Sequence, residues 1–150
     1  MFDVTNFVMR PIKGTLGHVF LDTNLISGWC SNRTLRGLDL DLDLDQQTIM
    51  SIDDNVFANC SDVVYLNLNH NNLIKLEPQS LKGLGKLEIL KLFGNLLRKI
   101  DSLAFNETKA LEMLDLGMNK LTRLDEPLFG GLTSLVELGL NELPGRRLVS

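Results

Sequence analysis

A repeat of 24 residues, running three times without a gap, constrains this chain more than any other feature. The units begin VVYLNLNHNNLIKL at Val63, LEILKLFGNLLRKI at Leu87 and LEMLDLGMNKLTRL at Leu111. Counted from the first residue of each, apolar side chains recur at positions 1, 4, 6, 11 and 14. In the first unit these are Val63, Leu66, Leu68, Leu73 and Leu76. The second gives Leu87, Leu90, Leu92, Leu97 and Ile100, and the third Leu111, Leu114, Leu116, Leu121 and Leu124. Position 9 is Asn71, Asn95 and Asn119 in turn, and position 19 is Leu81, Phe105 and Phe129. Self-similarity at so short a period means that no unit buries its own apolar face. Neighbouring units must stack, and the core runs continuously between them.

Each position has a physical reading. Leucines at positions 4 and 6 alternate with polar residues, the mark of a short strand with one face turned inward. Return to the same register after 24 residues implies parallel stacking of those strands. Position 9 leaves the strand inside an apolar coil, where an amide satisfies neighbouring backbone groups as donor and acceptor and a leucine cannot. Phenylalanine at position 19 fills the far side of the coil with one large ring. Upstream, a unit from Asp39 keeps Leu42, Leu44, Ile49, Ile52 and Phe57 but carries Gln47 at the asparagine position. Before it, LGHVFLDTNLISGW fits a 23-residue unit with Leu16, Val19, Leu21, Asn24, Ile26 and Trp29. Downstream, Leu135, Leu138 and Leu140 open a further unit, but Leu143 takes the asparagine position and Pro144-Gly145 ends the pattern.

The pattern LxxLxLxxNxLxxLxxxxFxxL resembles that of the 24-residue leucine-rich repeats, closely over about 39–142 and loosely over 16–38. The resemblance implies an α/β solenoid: a curved parallel sheet of about 5–6 strands, with irregular or short helical segments on the convex side. The expected organisation is an N-terminal extension over 1–15, a repeat domain over 16–142 with regular units from 39, and a tail over 143–150 without a recognisable cap. WCSNRTL around Cys30 resembles the last stretch of an N-terminal cysteine cap whose other cysteines are absent. Cys60, at position 22, reads first as a buried small hydrophobe, with a Cys30–Cys60 disulfide as the alternative. With no polar cap on Leu135, Leu138 and Leu140, the chain is expected to be part of a longer protein or an isoform of one.

Composition removes several function classes. The formal net charge is −4 and the basic residues are scattered, the opposite of a nucleic-acid binder's balance. Two cysteines are too few for a disulfide framework or a four-ligand zinc site. No apolar run reaches the length of a membrane span, and MFDVTNFVMRPIKG lacks the apolar core of a secretory signal. The chain therefore reads as cytosolic, or as lacking its true start. His18 and His70 lie in different units, and His70 reads as a solvated turn residue. No nucleophile elbow, phosphate loop, HExxH or paired CxxC is present, so neither catalysis nor a cofactor is expected.

What remains is recognition. Side chains at positions 3, 5 and 7 point away from the core, onto the concave side of the implied sheet. They include Asp43 and Asp45, Tyr65 and Asn67, Ile89, Lys91 and Phe93, then Met113 and Asp115, with Met118 beside them at position 8. Tyr65, Ile89, Phe93, Met113 and Met118 form an apolar cluster that the fold does not require, and such clusters tend to mark contact sites. Asp39, Asp41, Asp43 and Asp45 line one face of the first regular strand. A straight strand spreads carboxylates too widely for calcium, so this run reads as a charged edge that resists aggregation and favours basic partners. The position-9 series, Asn24, Gln47, Asn71, Asn95 and Asn119, reads as a structural ladder. Asn32, Asn59 and Asn106 head Asn-x-Ser/Thr sequons and are candidate glycan acceptors; the last two fall on the return segment, away from the binding face. By resemblance to Toll-type receptor ectodomains and secreted leucine-rich immune proteins, the chain is expected to be an extracellular, non-catalytic module that binds a protein partner or ligand through its concave face. A structural or adhesive leucine-rich protein that dimerises through that face is the alternative.

Overall fold

The computed structural model describes residues 2–5, 8–11, 20–21, 28, 30–31, 40–145 and 148–149. Its strands are β1 (Phe2–Thr5), β2 (Val8–Pro11), β3 (Phe20–Leu21), β4 (Leu40–Asp43), β5 (Ser51–Ile52), β6 (Val63–Asn67), β7 (Lys75–Leu76), β8 (Ile89–Lys91), β9 (Lys99–Ile100), β10 (Met113–Asp115), β11 (Leu124–Asp125), β12 (Glu137–Gly139) and β13 (Leu148–Val149). Seven of them make one sheet in the order β1-β2-β4-β6-β8-β10-β12. Only β1 and β2 pair antiparallel; from β2 onward every junction is parallel. The remaining strands form two-residue rungs on the opposite side of each coil, β3 on β5, β7 on β9 and β11 on β13, also parallel. The chain is a parallel β-solenoid whose return segments are mostly turns, with one short 3-10 segment at Glu126–Leu128 among the described residues.

The core lies between the sheet and the rungs. Leu42, Leu66, Leu90 and Leu114 stack at position 4 and Leu44, Leu68, Leu92 and Leu116 at position 6, all buried. Phe57, Leu81 and Phe105 close the far side and are buried as well, whereas Phe129 in the last full coil is only partly covered. Position 9 satisfies the backbone inside each coil. Asn71 Nδ2 donates to the carbonyls of Leu44 (2.9 Å) and Leu68 (3.0 Å), and its Oδ1 accepts from the N–H groups of Gln47 and Ile49, both at 3.0 Å. Asn95 and Asn119 repeat the arrangement one and two coils on, each bridging its own coil to the one before. Gln47 differs: its longer amide turns back to the Asp45 carbonyl (2.9 Å), and its buried Oε1 has no hydrogen-bond partner among the described residues. Asn24 lies outside the described residues.

Three sequence expectations change. The strand beside β4 is Val8–Pro11, while Phe20–Leu21 pairs with Ser51–Ile52 as an outer rung. Leu21, read as a core-strand position of the unit from Leu16, therefore stands on a rung; Leu16, Val19, Ile26 and Trp29 of that unit lie outside the described residues. At the other end, Leu148 pairs with Leu124, so the tail keeps the repeat register beyond Leu143. Each rung carries one apolar residue at position 14, such as Leu76, Ile100 and Leu124, and a single residue does not mark a rung apart from a core strand. Finally, Cys60 is buried but is not a free thiol: it is bonded to Cys30, with the Cα atoms 4.8 Å apart.

That bond ties the segment before β4 to the first regular coil across 30 residues of chain. Closing a loop of this size stabilises a fold by about 2–4 kcal/mol, chiefly by restricting the unfolded chain. Reduction is therefore expected to lower the melting temperature by several degrees. The Cys30→Ala, Cys60→Ala double variant should melt where the reduced protein does, and should not respond to reductant. A wild-type transition indifferent to reductant would show that the bond contributes nothing.

Candidate functional site

The outward side of the sheet is ordered into rows because the strands are in register. Position 3 runs Asp41, Tyr65, Ile89, Met113 and Glu137 across five strands. Position 5 runs Asp43, Asn67, Lys91, Asp115 and Gly139 beside it. Backbone pairing continues past the assigned strands: the N–H groups of Gln46, His70, Gly94 and Met118 donate to the carbonyls of Asn69, Phe93, Gly117 and Asn141, at 2.7–3.1 Å. These position-8 residues, and Glu142 after them, all have φ between 49° and 71°. The left-handed turn ends each strand while keeping its last N–H in the ladder. Four of the five are not glycine and carry the Cβ penalty of that conformation, roughly 1–2 kcal/mol each. Gly94 is the exception, and a Cβ there would lie 2.8 Å from the His70 ring.

Polar residues of the rows mostly serve the sheet itself. Asp43, Asn67 and Asp115 each accept, through Oδ1, the N–H two residues on, those of Asp45, Asn69 and Gly117. Lys91 offers no acceptor at the equivalent place, and the Phe93 N–H instead donates to Asn69 Oδ1 of the neighbouring coil at 2.8 Å. Freed of that duty, the Lys91 ammonium lies over the Tyr65 ring, 5.4 Å from its centroid, a cation–π contact. Asn67 Nδ2 also donates to Asp43 Oδ1 (3.1 Å), tying the first two coils together.

Apolar residues converge at the centre. Tyr65, Ile89 and Met113 are directly adjacent across strands, each half-buried. Phe93 lies against Gly117, where a Cβ would come within 2.9 Å of the ring, so the absent side chain makes room for it. Its other side meets the His70 ring edge-on, with centroids 5.7 Å apart. His70 is thus more than a solvated turn residue: its Nδ1 is 2.9 Å from Asp45 Oδ1, and its ring supports Phe93. Met118 is 50% exposed at the exit edge. The supporting roles of His70, Asn69 and Gly117 escape a reading of single positions, although 24-residue spacing does place them beside Phe93 and Asp45. No group of three His, Cys, Asp or Glu residues among the described ones is placed to hold a metal ion. No helix among them is long and apolar enough to cross a membrane. Asn59 and Asn106 are exposed on the return segments, and Asn32 lies outside the described residues.

A stack of parallel coils with a buried amide ladder and a patterned open sheet defines a repeat scaffold. The sequence profile of the leucine rich repeat family matches residues 40–97 and 94–142, and the chain belongs to that family. Among solved structures, the leucine-rich repeat domain of APL1B is similar, with TM-score 0.69 and 27% identity over 72% of this chain and 32% of that one. The receptor of a TLR13–ssRNA13 complex matches with TM-score 0.69 and 31% identity over 73% of this chain and 16% of that one. An internalin, inlF of Listeria monocytogenes strain 4b F2365, matches with TM-score 0.56 and 26% identity over 72% of this chain and 30% of that one. The chain therefore spans a third or less of the length of each of these. No curated protein matches it.

Proposed function

We propose that this chain is a non-catalytic recognition module that holds a protein partner on the open side of its sheet. The observation that carries the reading is the in-register row Tyr65, Ile89 and Met113, extended by Phe93. These side chains lie outside the core, and the coil does not need them for its own packing. A half-buried apolar centre with a polar rim is the anatomy of a protein interface. The structural neighbours include the leucine-rich repeat domain of APL1B and a Toll-like receptor ectodomain, which supports the same class. The ssRNA named with one of them does not carry over, since carboxylates outnumber cations on this face and repel phosphate. Asp43, Asp45, Asn67, Lys91, Asp115 and Met118 border the apolar centre as contact or orienting residues. The Cys30–Cys60 bond supports an extracellular or otherwise oxidising compartment, where Asn59 and Asn106 are candidate glycan sites.

A displayed library of extracellular protein fragments, panned against the chain, tests the reading. Selected clones are expected to bind the wild type and to lose about 100-fold in affinity with Ile89→Asp plus Phe93→Asp, as for a desolvated hot spot. Binding should persist in Lys109→Asp on a return segment. Clones indifferent to the double variant would place recognition elsewhere. A dimer in sedimentation that the double variant splits would favour the self-associating, adhesive alternative.

A further inference from the structure

Charge is distributed unevenly between this face and the rest of the chain. Within positions 2–8 of the five coils, residues 40–46, 64–70, 88–94, 112–118 and 136–142, there are eight carboxylates and one lysine, a formal −7. The whole chain carries −4, so everything outside the face sums to +3. Asp41 and Asp43 have further partners, and Asp45 faces His70. The other five, Glu88, Glu112, Asp115, Glu137 and Glu142, take no part in the ion pairs found among the described residues, which are His70–Asp45, Lys75–Glu77, Lys86–Asp62 and Arg123–Asp125. Four of them flank the apolar row directly. Glu88 and Glu112 stand at the strand entries beside Ile89 and Met113, Glu137 continues the row, and Asp115 is Met113's neighbour at position 5. Cross-strand neighbours in a sheet are about 4.8 Å apart, so every apolar side chain here has a carboxylate within one or two strand spacings. Lys91, the lone cation of the face, stacks on Tyr65 and does not bridge to Asp115, although the two are cross-strand partners.

Resting on the recognition reading above, we infer that the partner presents a basic, apolar segment: lysine or arginine side chains alternating with or flanking one or two large apolar ones. The apolar groups cover Ile89, Met113 and Phe93, while the cations meet Glu88, Glu112, Asp115 and Glu137. A second copy docking by the same face brings two formal −7 surfaces together, and like-charge juxtaposition opposes that pairing. The charge pattern therefore selects a heterologous, cationic protein surface over face-to-face self-association.

Three labelled eight-residue probe peptides test this by fluorescence anisotropy on the intact chain. One alternates lysine and leucine around a tryptophan, one has glutamate in place of lysine, and one has serine in place of leucine and tryptophan. The lysine–leucine peptide is expected to bind, at least tenfold more tightly than either of the others, and to weaken as salt is raised from 50 to 300 mM. Glu112→Lys with Glu137→Lys should weaken it by about tenfold or more, while Glu126→Lys on the return segment should leave it unchanged. Equal binding of the glutamate peptide, no binding of the lysine–leucine peptide, or an equal loss with Glu126→Lys each overturns the charge inference. The recognition reading is judged separately by Ile89→Asp. If charge reversal has no effect but Ile89→Asp abolishes binding, the face is the site and its preference is not cationic. If Ile89→Asp has no effect, the site itself is misplaced. Circular dichroism of every variant confirms that the coil is intact before affinities are compared.

Discussion

Asn71→Leu is expected to destabilise the fold by about 4 kcal/mol, roughly twice the cost of the same change at Asn95. The two residues occupy the same position in successive coils, so a reading by position alone gives them equal weight. Their surroundings separate them. Asn71 Oδ1 accepts from two buried N–H groups, those of Gln47 and Ile49, and its Nδ2 serves the Leu44 carbonyl. Gln47, in the coil before, turns its amide to the Asp45 carbonyl and leaves Leu44 to Asn71. Replacing Asn71 therefore strands three backbone groups in the core, at about 1–3 kcal/mol for each unsatisfied group before relaxation. Around Asn95 the ladder is doubled. The Leu68 carbonyl accepts from Asn71 as well as Asn95, and the Leu92 carbonyl from Asn95 as well as Asn119. Only the Leu73 N–H loses its acceptor outright. Urea unfolding followed by circular dichroism should rank the variants wild type, Asn95→Leu, Asn71→Leu in falling stability. Equal losses, or the reverse order, would mean that the ladder does not share its bonds as described.

Much of this architecture is legible in the sequence because coil-to-coil stacking converts position directly into environment. Leu66, Leu90 and Leu114 share a spacing and share a burial, and Tyr65, Ile89 and Met113 share an outward row for the same reason. Legibility fails where the structure is carried by backbone or by a single covalent bond. Phe20–Leu21 and Leu148–Val149 join the solenoid through two-residue rungs, whose one apolar residue is too short a signal to read by itself. Cys60 is buried as a small hydrophobe would be, so burial alone could not distinguish a thiol from a half-cystine. On the open face, the rows are legible but the support beneath them is not. That Lys91 forces the Phe93 N–H onto Asn69, or that Gly117 exists to admit the Phe93 ring, depends on contacts between coils that no single repeat encodes.

Phe105→Ala is expected to cost about 3–5 kcal/mol, the range for deleting a large aromatic side chain from a packed core. Phe105 is buried in the middle of the stack, closed on its two sides by the coils of Leu81 and Phe129. The space it leaves cannot collapse without moving two neighbouring return segments, so most of the cavity should persist. Phe129 gives the internal comparison: it fills the same position but is only partly covered, and Phe129→Ala should cost less than half as much. Leucine stands at this position in the coil of Leu81 and is fully buried there, so Phe105→Leu should recover a large part of the loss. Because each coil contacts only its neighbours, the damage should also be local. Hydrogen exchange is expected to accelerate first at the amides of β8 to β11, with β4 and β5 protected longer. Uniform acceleration along the whole chain would show instead that these coils unfold as one cooperative unit, and the ring would then matter to the solenoid as a whole.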